Sequence, residues 1–398
     1  MKYFFLLAAA LPLVSLCACK KNAISSVERE DLFSLDAGPM EDQIALYLLE
    51  GDSGVRRTSF TMRDGLFYIT DGNSAKIVRY NSYGDLLFMI YNEEANPAPI
   101  SLKINIAPEE QATRWAFSHP LREPGWITVD SRKHIFVEDR LPPPYRLDPE
   151  SDAQLDGIIL HFDQNGRFID YLGREGIGGS PFPRIVGLCS STGDELAVIC
   201  RIPGGWNVYW YNASGVLLYL VKISSGTIPA MPDMASAFSS VDRITAAPDS
   251  RKIFLKADYY RDTFDQSTKI RTGSEPAGSV IWTLDIETGI YDGSAEIPPY
   301  EVFENGRQSK ISMLYSMLGM MRGGKALFYS PVDTGYSILF LDIITREQRR
   351  GYVNFSGDEI RFSDFYLSPE GILSAMLVDN FKINMVWWRT DRFIGEAP

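Results

Sequence analysis

One stretch in the first half of the chain decides the fold, because it contains three apolar runs separated by polar turns. It reads Ile127-Thr128-Val129-Asp130-Ser131, then Ile135-Phe136-Val137-Glu138-Asp139, then Leu160-His161-Phe162-Asp163-Gln164-Asn165-Gly166-Arg167-Phe168. Short runs rich in β-branched and aromatic residues predict strands, and Asn165-Gly166 predicts a hairpin turn. The stretch therefore predicts one antiparallel unit of three or four strands that ends at Leu172-Gly173.

Similar units recur along the chain at comparable spacing, which indicates an internal repeat. The earliest run in each of the other five is Leu66 to Ile69, Ile185 to Leu188, Ile244 to Ala247, Leu327 to Ser330 and Phe365 to Leu367. One such unit leaves both of its faces open, and six of them bury these faces by stacking around a ring. The sequence predicts an all-β fold, a six-bladed β-propeller, with a pair of β-sandwiches or a seven-bladed ring as alternatives.

A chain that begins and ends at one seam of a ring usually completes its last blade with a strand from the other terminus. Gln43 to Leu49 has the length and alternation of such a closing strand, and we expect it beside Trp387-Trp388. The predicted propeller accordingly spans residues 42–398, and a tether of mixed charge spans residues 19–41.

The N-terminus predicts export. Met1-Lys2 is positively charged, and the apolar run from Phe4 to Leu16 is too short to span a bilayer permanently. Leu16-Cys17-Ala18-Cys19 resembles a lipobox, which implies a signal peptide over residues 1–18 and a diacylglycerol group on Cys19. The expected location is the bacterial cell envelope, facing the periplasm or the exterior, and an ordinary signal peptide is the alternative.

Composition indicates which binding partners are disfavoured and which state of the cysteines is expected. The 398 residues are 45% apolar and carry a net charge of −12, which disfavours nucleic acid and any broad contact with anionic lipid. Two cysteines remain beyond the signal region, Cys189 and Cys200, both in one predicted hairpin. The register of that hairpin pairs Cys189 with Ala197 or Val198, so we expect free buried thiols, with a disulfide as the alternative.

The opening stretch resembles an NHL-type repeat almost from end to end. The glycine-rich linker from Gly176 to Pro183 matches the segment that leads into the next blade of such proteins. A lipobox, a short tether and an NHL-like ring are together similar to the propeller lipoproteins of spirochaetes. The resemblance implies an envelope protein. NHL rings bind proteins, and some bind RNA, but the acidic charge of this chain argues against RNA binding.

Motifs for catalysis or metal binding are missing from the sequence. It has no Gly-x-Ser-x-Gly elbow and no calcium loop, and its three histidines are His119, His134 and His161. His134 and His161 fall on different strands, so a metal site is not expected, and packing is the expected role of His161. We therefore predict no catalytic residue, cofactor or metal, and a protein-interaction module rather than an enzyme. An enzyme or small-ligand binder that uses the central channel is the alternative.

Three arginines fall at nearly equivalent points, just before the innermost strands of their units: Arg57, Arg184 and Arg243. Equivalent positions in a ring surround one mouth of its channel, so these cations are candidates for binding an anionic group there. Three independent salt bridges between blades are the alternative.

Three insertions interrupt the repeat at Asn96 to Glu123, Leu141 to Gly157 and Arg261 to Ala277. Long loops on a rigid scaffold commonly carry recognition. Trp115, Phe117 and Tyr145 are the candidate contacts for an envelope or extracellular protein, and docking of the insertions onto the ring is the alternative.

Overall fold

The computed structural model describes residues 25–46, 58–105, 113–231, 237–303, 310–357 and 360–394. Strands dominate these residues, and the two helical segments are a 3-10 turn at Ser225–Thr227 and α1 at Thr390–Ile394. Within the described ranges, no helix has both the length and the apolarity needed to cross a membrane. The predicted signal peptide and Cys19 lie outside these residues.

Blade 1 is a sheet of six strands in the order β3-β4-β5-β6-β8-β7. Two earlier strands, β1 (Ser25–Ser26) and β2 (Arg29–Asp36), belong to sheets at the other end of the chain. The first insertion supplies the last two strands of blade 1, and β8 pairs with β6 in parallel. The strands of blade 1 are β3 (Thr58–Arg63), β4 (Leu66–Asp71), β5 (Lys76–Tyr80), β6 (Leu86–Tyr91), β7 (Lys103–Ile104) and β8 (Trp115–Ser118).

Blade 2 has five strands, and the second of the three insertions, which lies between two of them, forms the separate hairpin β11–β12. The strands of this region are β9 (Ile127–Val129), β10 (Ile135–Arg140), β11 (Arg146–Leu147), β12 (Gln154–Leu155), β13 (Gly157–Phe162), β14 (Phe168–Gly173) and β15 (Gly176–Ile177). Blade 3 is a four-stranded meander of β16 (Ile185–Ser190), β17 (Leu196–Ile202), β18 (Gly205–Tyr211) and β19 (Leu217–Ser224).

Blades 4 and 5 are again meanders of consecutive strands. Blade 4 comprises β20 (Phe238–Ala246), β21 (Lys252–Phe264), β22 (Arg271–Asp285) and β23 (Tyr291–Ile297). A two-stranded sheet, β24 (Tyr300–Phe303) with β25 (Lys310–Met313), precedes blade 5. Blade 5 comprises β26 (Ser316–Met321), β27 (Lys325–Val332), β28 (Gly335–Asp342) and β29 (Gln348–Asn354), with β1 in parallel along its outer edge.

A closing sheet joins the two ends of the described chain. Its strands are β30 (Phe362–Leu367), β31 (Leu373–Val378) and β32 (Lys382–Trp388), and β2 pairs antiparallel with β32. The innermost strands contact one another in the cyclic order β3, β9, β16, β20, β26, β30 and β3 again. This arrangement is a β-propeller, as the sequence predicted.

The core lies between the sheets rather than inside any one of them. Six clusters of buried apolar side chains each combine residues of two neighbouring sheets, and together they cover every junction around the ring. Middle strands are consequently buried on both faces, as in β5, whereas an outermost strand such as β19 alternates between exposed and buried residues.

A shared turn explains why the repeat is visible in the sequence. In blades 1 to 5, the turn between the third and fourth strands begins with an Asn or Asp whose side-chain oxygen accepts the backbone N–H two residues later. These residues are Asn81, Asp163, Asn212, Asp285 and Asp342. Such side-chain hydrogen bonds stabilise tight turns.

The prediction of the closing strand was wrong. β2 pairs with β32, with Glu30 opposite Trp387, whereas Gln43 to Leu46 lie in no strand and Tyr47 to Leu49 lie outside the described residues. The charges of Arg29 to Asp31 suggested a solvated tether. These residues instead lie on an outermost strand, where Arg29 and Asp31 are exposed and Leu35 is buried. The propeller therefore begins within the stretch that was predicted as tether.

The third insertion is also different from the prediction. Arg261 to Ala277 lies mostly within β21 and β22, which continue as a paired hairpin from Lys252↔Asp285 out to Phe264↔Arg271. None of its residues beyond Tyr260 is fully buried, and the alternation of apolar residues that marks a half-buried strand is missing from the sequence there.

Candidate functional site

The innermost strands surround a central channel with a cavity of about 200 Å³. All five blades and the closing sheet contribute residues to its wall. Apolar and aromatic side chains, including Trp126 and Phe365, alternate there with groups that can donate or accept hydrogen bonds. The polar members of the wall are Ser59, Arg63, Thr128, Cys189, Ser190, Arg243, Thr245, Asp364 and Tyr366.

Three charged residues line this cavity: Arg63, Arg243 and Asp364. Arg243 Nη1 donates to the carbonyl of Met317 at 3.3 Å, which ties β20 to β26. Asp364 Oδ1 accepts the amide of Phe365 at 3.0 Å. Burial raises the pKa of Asp364 to about 6, and the amides of Phe365 and Phe60 and the charge of Arg243 only partly oppose this effect. Asp364 is thus a carboxyl with a raised pKa among the residues that line the cavity.

Hydroxyl and thiol groups complete the wall and also connect its strands. Thr128 Oγ1 lies 3.1 Å from Ser190 Oγ, which in turn donates to the carbonyl of Val129. Cys189 Sγ lies 3.7 Å from Thr245 Oγ1. Among the described residues, neither a histidine nor a carboxylate hydrogen-bonds to this thiol, so the base that activates a catalytic cysteine is missing there. Among the described residues, the hydrogen bonds of these hydroxyl and thiol groups therefore connect neighbouring strands of the wall.

The structure separates the three arginines of the sequence prediction. Arg243 faces the channel, because β20 begins earlier than predicted and carries a bulge between Val241 and Arg243. Arg184 is exposed before the start of β16, and it lines a different surface pocket together with Arg201. Arg57 lies outside the described residues. Arg184 and Arg243 therefore do not form the shared cation site that was predicted.

The candidate residues of the insertions occupy different environments. Trp115 stacks on Phe88 with ring centroids 6.1 Å apart, and its Nε1 donates to the carbonyl of Asn165. Phe117 is half-buried in the same strand. These contacts of Trp115 correspond to the alternative in which the insertions dock onto the ring. Tyr145, by contrast, is exposed in the second insertion.

Two cysteine predictions can be compared with the structure. Cys189 is opposite Ala197, and Cys200 is opposite Ile185. The predicted register is therefore confirmed, and both thiols are free. Cys200 is buried and Cys189 only half-buried, because Cys189 faces the channel.

His134 and His161 are much closer than their positions on different strands suggested. His134 Nδ1 lies 3.0 Å from His161 Nε2, and His161 Nδ1 lies 3.0 Å from Asp170 Oδ1. The ring of His161 also stacks on Phe136, with centroids 4.4 Å apart, and burial lowers its pKa. Within the described ranges, no three potential metal ligands come together.

An exposed apolar surface was missed by the sequence analysis. We call it the rim patch, and it lies where the outer strands of blades 2 and 3 meet. Gly176 forms an isolated antiparallel bridge with Val216, which brings β15 to the start of β19. The members of the rim patch, with their exposed fractions, are Ile177 (56%), Val216 (56%), Leu218 (36%) and Leu220 (43%). Contiguous exposed apolar side chains of this kind commonly mark binding surfaces.

The continuous apolar run from Val216 to Val221 could have revealed this surface. Such a run predicts a strand that is buried on both faces. As the last strand of blade 3, however, β19 has one neighbouring strand among the described residues, and it places only Val221 and Ile223 in the core between blades 3 and 4. The alternate residues Leu218 and Leu220 remain outside.

Comparisons with known proteins find only distant structural likeness. No protein-family model matches the sequence, and no curated protein matches it. Among solved structures, an ulvan lyase, which is a polysaccharide lyase, is similar at 10% identity and a TM-score of 0.41, over 91% of this chain and 84% of that one. The Dos1 propeller is similar at 13% identity and a TM-score of 0.33, over 91% and 71%. The WD40 domain of Toxoplasma gondii coronin is similar at 10% identity and a TM-score of 0.35, over 84% and 72%.

Proposed function

We propose that this chain is a lipid-anchored protein of the bacterial cell envelope, and that its propeller binds another protein without catalysing a reaction. The rim patch is the observation that carries this proposal. A rigid ring with its own complete core has no structural need for four exposed apolar side chains in one place. A partner protein that covers them removes this apolar surface from water, which favours association.

We further propose that the ring is an NHL-like propeller of six blades, with the closing sheet as the sixth. Support comes from the contacts of β30, which touches β26 of blade 5 on one side and β3 of blade 1 on the other. The apolar clusters on both sides of this sheet are as extensive as those between the other blades. The NHL resemblance rests on the repeat in blade 2, and the likeness to spirochaetal lipoproteins on the lipobox before the ring.

The anchor and the rim patch lie on different sides of the ring in this proposal. β1 follows the outer edge of blade 5, where Val27 N–H donates to the carbonyl of Tyr352 at 2.8 Å. Only the residues from Lys20 to Ser25 separate Cys19 from this edge, and six extended residues span at most about 20 Å. A lipidated Cys19 therefore keeps blade 5 close to the membrane, whereas blades 2 and 3 are across the ring and accessible to a protein.

Anchoring is tested by fractionating cells that produce Cys19→Ser. We expect the variant to leave the membrane fraction for the soluble fraction, because the acyl chains supply the membrane affinity. Retention of Cys19→Ser in the membrane fraction would contradict lipid anchoring at this residue.

Partner binding is tested by crosslinking intact cells, extracting them with mild detergent and purifying the chain for mass spectrometry. We expect one envelope protein in near-equal amount with the wild type, and its loss from Leu218→Lys/Leu220→Lys. Ile290→Lys is the matched control, since Ile290 is 63% exposed at the turn before β23 and lies outside the rim patch. Recovery of the chain alone would refute the interaction module. Equal recovery of the partner with the wild type, the double variant and the control variant would show that the partner binds outside the rim patch.

The channel supports a second candidate function, the binding of a small polar ligand. Arg243 and Asp364 offer an anion partner and a proton-exchanging carboxyl in one small cavity. A thermal-shift series with small carboxylic acids, amines and sugars tests this candidate. Stabilisation of the wild type that disappears in Arg243→Ala supports it, and no stabilisation by any member of the series counts against it.

A further inference from the structure

The outer edges of three blades are covered by additional strands of this chain. β8 lies along β6 in blade 1, β15 along β14 in blade 2, and β1 along β29 in blade 5. Two of these additions are parallel and one is antiparallel. The edges of this propeller therefore accept an added strand in either direction, and a strand that is distant in the sequence is sufficient.

Three outer edges have no added strand among the described residues: β19 in blade 3, β23 in blade 4 and β2 in the closing sheet. Two of them carry exposed charges, namely Asp292 and Glu296 on β23, and Arg29 and Asp31 on β2. Charged side chains on an exposed edge oppose pairing with another strand.

The edge of β19 is different in composition. Leu218 and Leu220 are its exposed members in the middle, and its one basic residue, Lys222, is paired with Glu150 at 2.9 Å near the far end. Nothing charged within β19 therefore opposes pairing over the first half of the strand. Ile177 and Val216 extend the apolar surface beside that half.

We infer that β19 is the docking edge for an extended segment of the partner protein, which adds to blade 3 as a fifth strand. This inference rests on the proposed function and specifies how the partner binds. The backbone of the incoming strand pairs with the N–H and C=O groups on the outer edge of β19, beside which the described residues place no further strand, as in other cases of strand addition. Its side chains on one face are apolar at every second position, because they contact Leu218, Leu220 and Ile177.

The arrangement of the anchor favours a separate protein over lipid as the occupant of this edge. Since β1 holds the N-terminal end of the described chain against blade 5, lipid attached six residues earlier stays on that side of the ring. β19 belongs to blade 3, two blades away, and Ile177 belongs to blade 2, three blades away. An envelope protein reaches these positions without displacing the tether.

Amide hydrogen exchange tests the inference on the full-length chain. The measurement compares the purified chain alone with its complex with the envelope protein recovered by crosslinking. We expect exchange at the outward-facing amides of β19 to slow by about tenfold or more in the complex, because each becomes hydrogen-bonded. Exchange in β23, which is equally uncovered but charged, is expected to stay unchanged and serves as the internal control.

The variants give a second readout. Leu218→Lys/Leu220→Lys should bind the envelope protein at least tenfold more weakly, while Ile290→Lys binds like the wild type. Circular dichroism and the melting temperature of each variant establish that the ring is folded, since both leucines are exposed in the free chain.

The possible outcomes separate this inference from the proposed function. Binding without slower exchange in β19 overturns strand addition and leaves the interaction module standing. A second copy of the chain as the occupant, seen as a dimer in sedimentation, overturns the assignment to a separate protein. Absence of any partner overturns the proposed function, and the inference with it.

Discussion

Lys76→Met should destabilise the propeller strongly, because the side chain of Lys76 carries a charged ammonium group and is fully buried. Its Nζ lies 3.8 Å from Asp71 Oδ2 and donates to the carbonyls of Pro39 and Met40. Asp71 in turn accepts the amide of Ala45 at 2.8 Å. These contacts hold the segment between β2 and β3 against blade 1. The pair therefore secures the N-terminal strands that complete the ring.

The magnitude follows from what the substitution leaves behind. Without Lys76, the carboxylate of Asp71 is buried and uncompensated, which costs about 3–5 kcal/mol of unfolding free energy. Lys222→Met is the control, because Lys222 and Glu150 form an exposed pair worth about 0–1 kcal/mol. Asp71→Asn/Lys76→Met should cost less than the two single changes added together, since neither charge is then left buried alone.

Equilibrium unfolding in urea measures these differences, as shifts of the midpoint at constant slope. The expected order of stability is wild type, then Lys222→Met close to it, and Lys76→Met far below. A loss of less than about 1 kcal/mol for Lys76→Met would refute the reasoning, since it would mean that Asp71 finds water or a proton without cost.

Three further predictions concern the rim, the channel and the thiols. Gly215 has φ +74°, and a Cβ added there would lie 2.9 Å from the side chain of Ile177, whereas Gly204 has φ +77° and open space around the same position. In urea unfolding, Gly215→Ala should therefore lose about 1–3 kcal/mol more than Gly204→Ala. Equal losses would contradict this prediction. Because Asp364 binds its proton more tightly in the folded state, its own contribution to stability should fall as pH rises from about 4 to about 6. The melting temperature of the wild type should therefore fall relative to that of Asp364→Asn across this window, and parallel profiles would contradict the buried carboxyl. Burial raises the pKa of Cys200 well above its usual range, so iodoacetamide followed by peptide mass spectrometry should find it unmodified in the native chain, and rapid labelling would disprove its burial.

Much of the fold was predictable because each repeat carries both its strands and its turn in the sequence. Asn165-Gly166 marks a hairpin, and the register of β16 with β17 follows from the position of the turn between them. β2 was not predictable in the same way. An outermost strand needs only alternate apolar residues, so Leu35 and its charged neighbours resemble a solvated segment until the partner strand β32 is known.

The candidate site was less accessible from the sequence, because facing direction depends on details that composition does not contain. The bulge at Val241 and Arg243 shifts the register of β20, and one residue of shift turns a side chain to the other face. The rim patch depends on which strand of a blade is outermost and on whether another strand covers it. Leu218 and Leu220 have the same sequence character as buried strand residues, but they are exposed on β19, which has one neighbouring strand among the described residues.

In the proposed arrangement, the lipid anchor holds blade 5 near the membrane and the rim patch lies away from it. Energy transfer to an acceptor lipid in vesicles that carry the lipidated chain tests this most directly, with a donor dye at Glu28→Cys beside β1 or at Val216→Cys in the rim patch. Both positions are exposed. We expect efficient transfer from position 28, clearly weaker transfer from position 216, and none from either when Cys19→Ser is added. Equal transfer from the two positions, or stronger transfer from position 216, would contradict it.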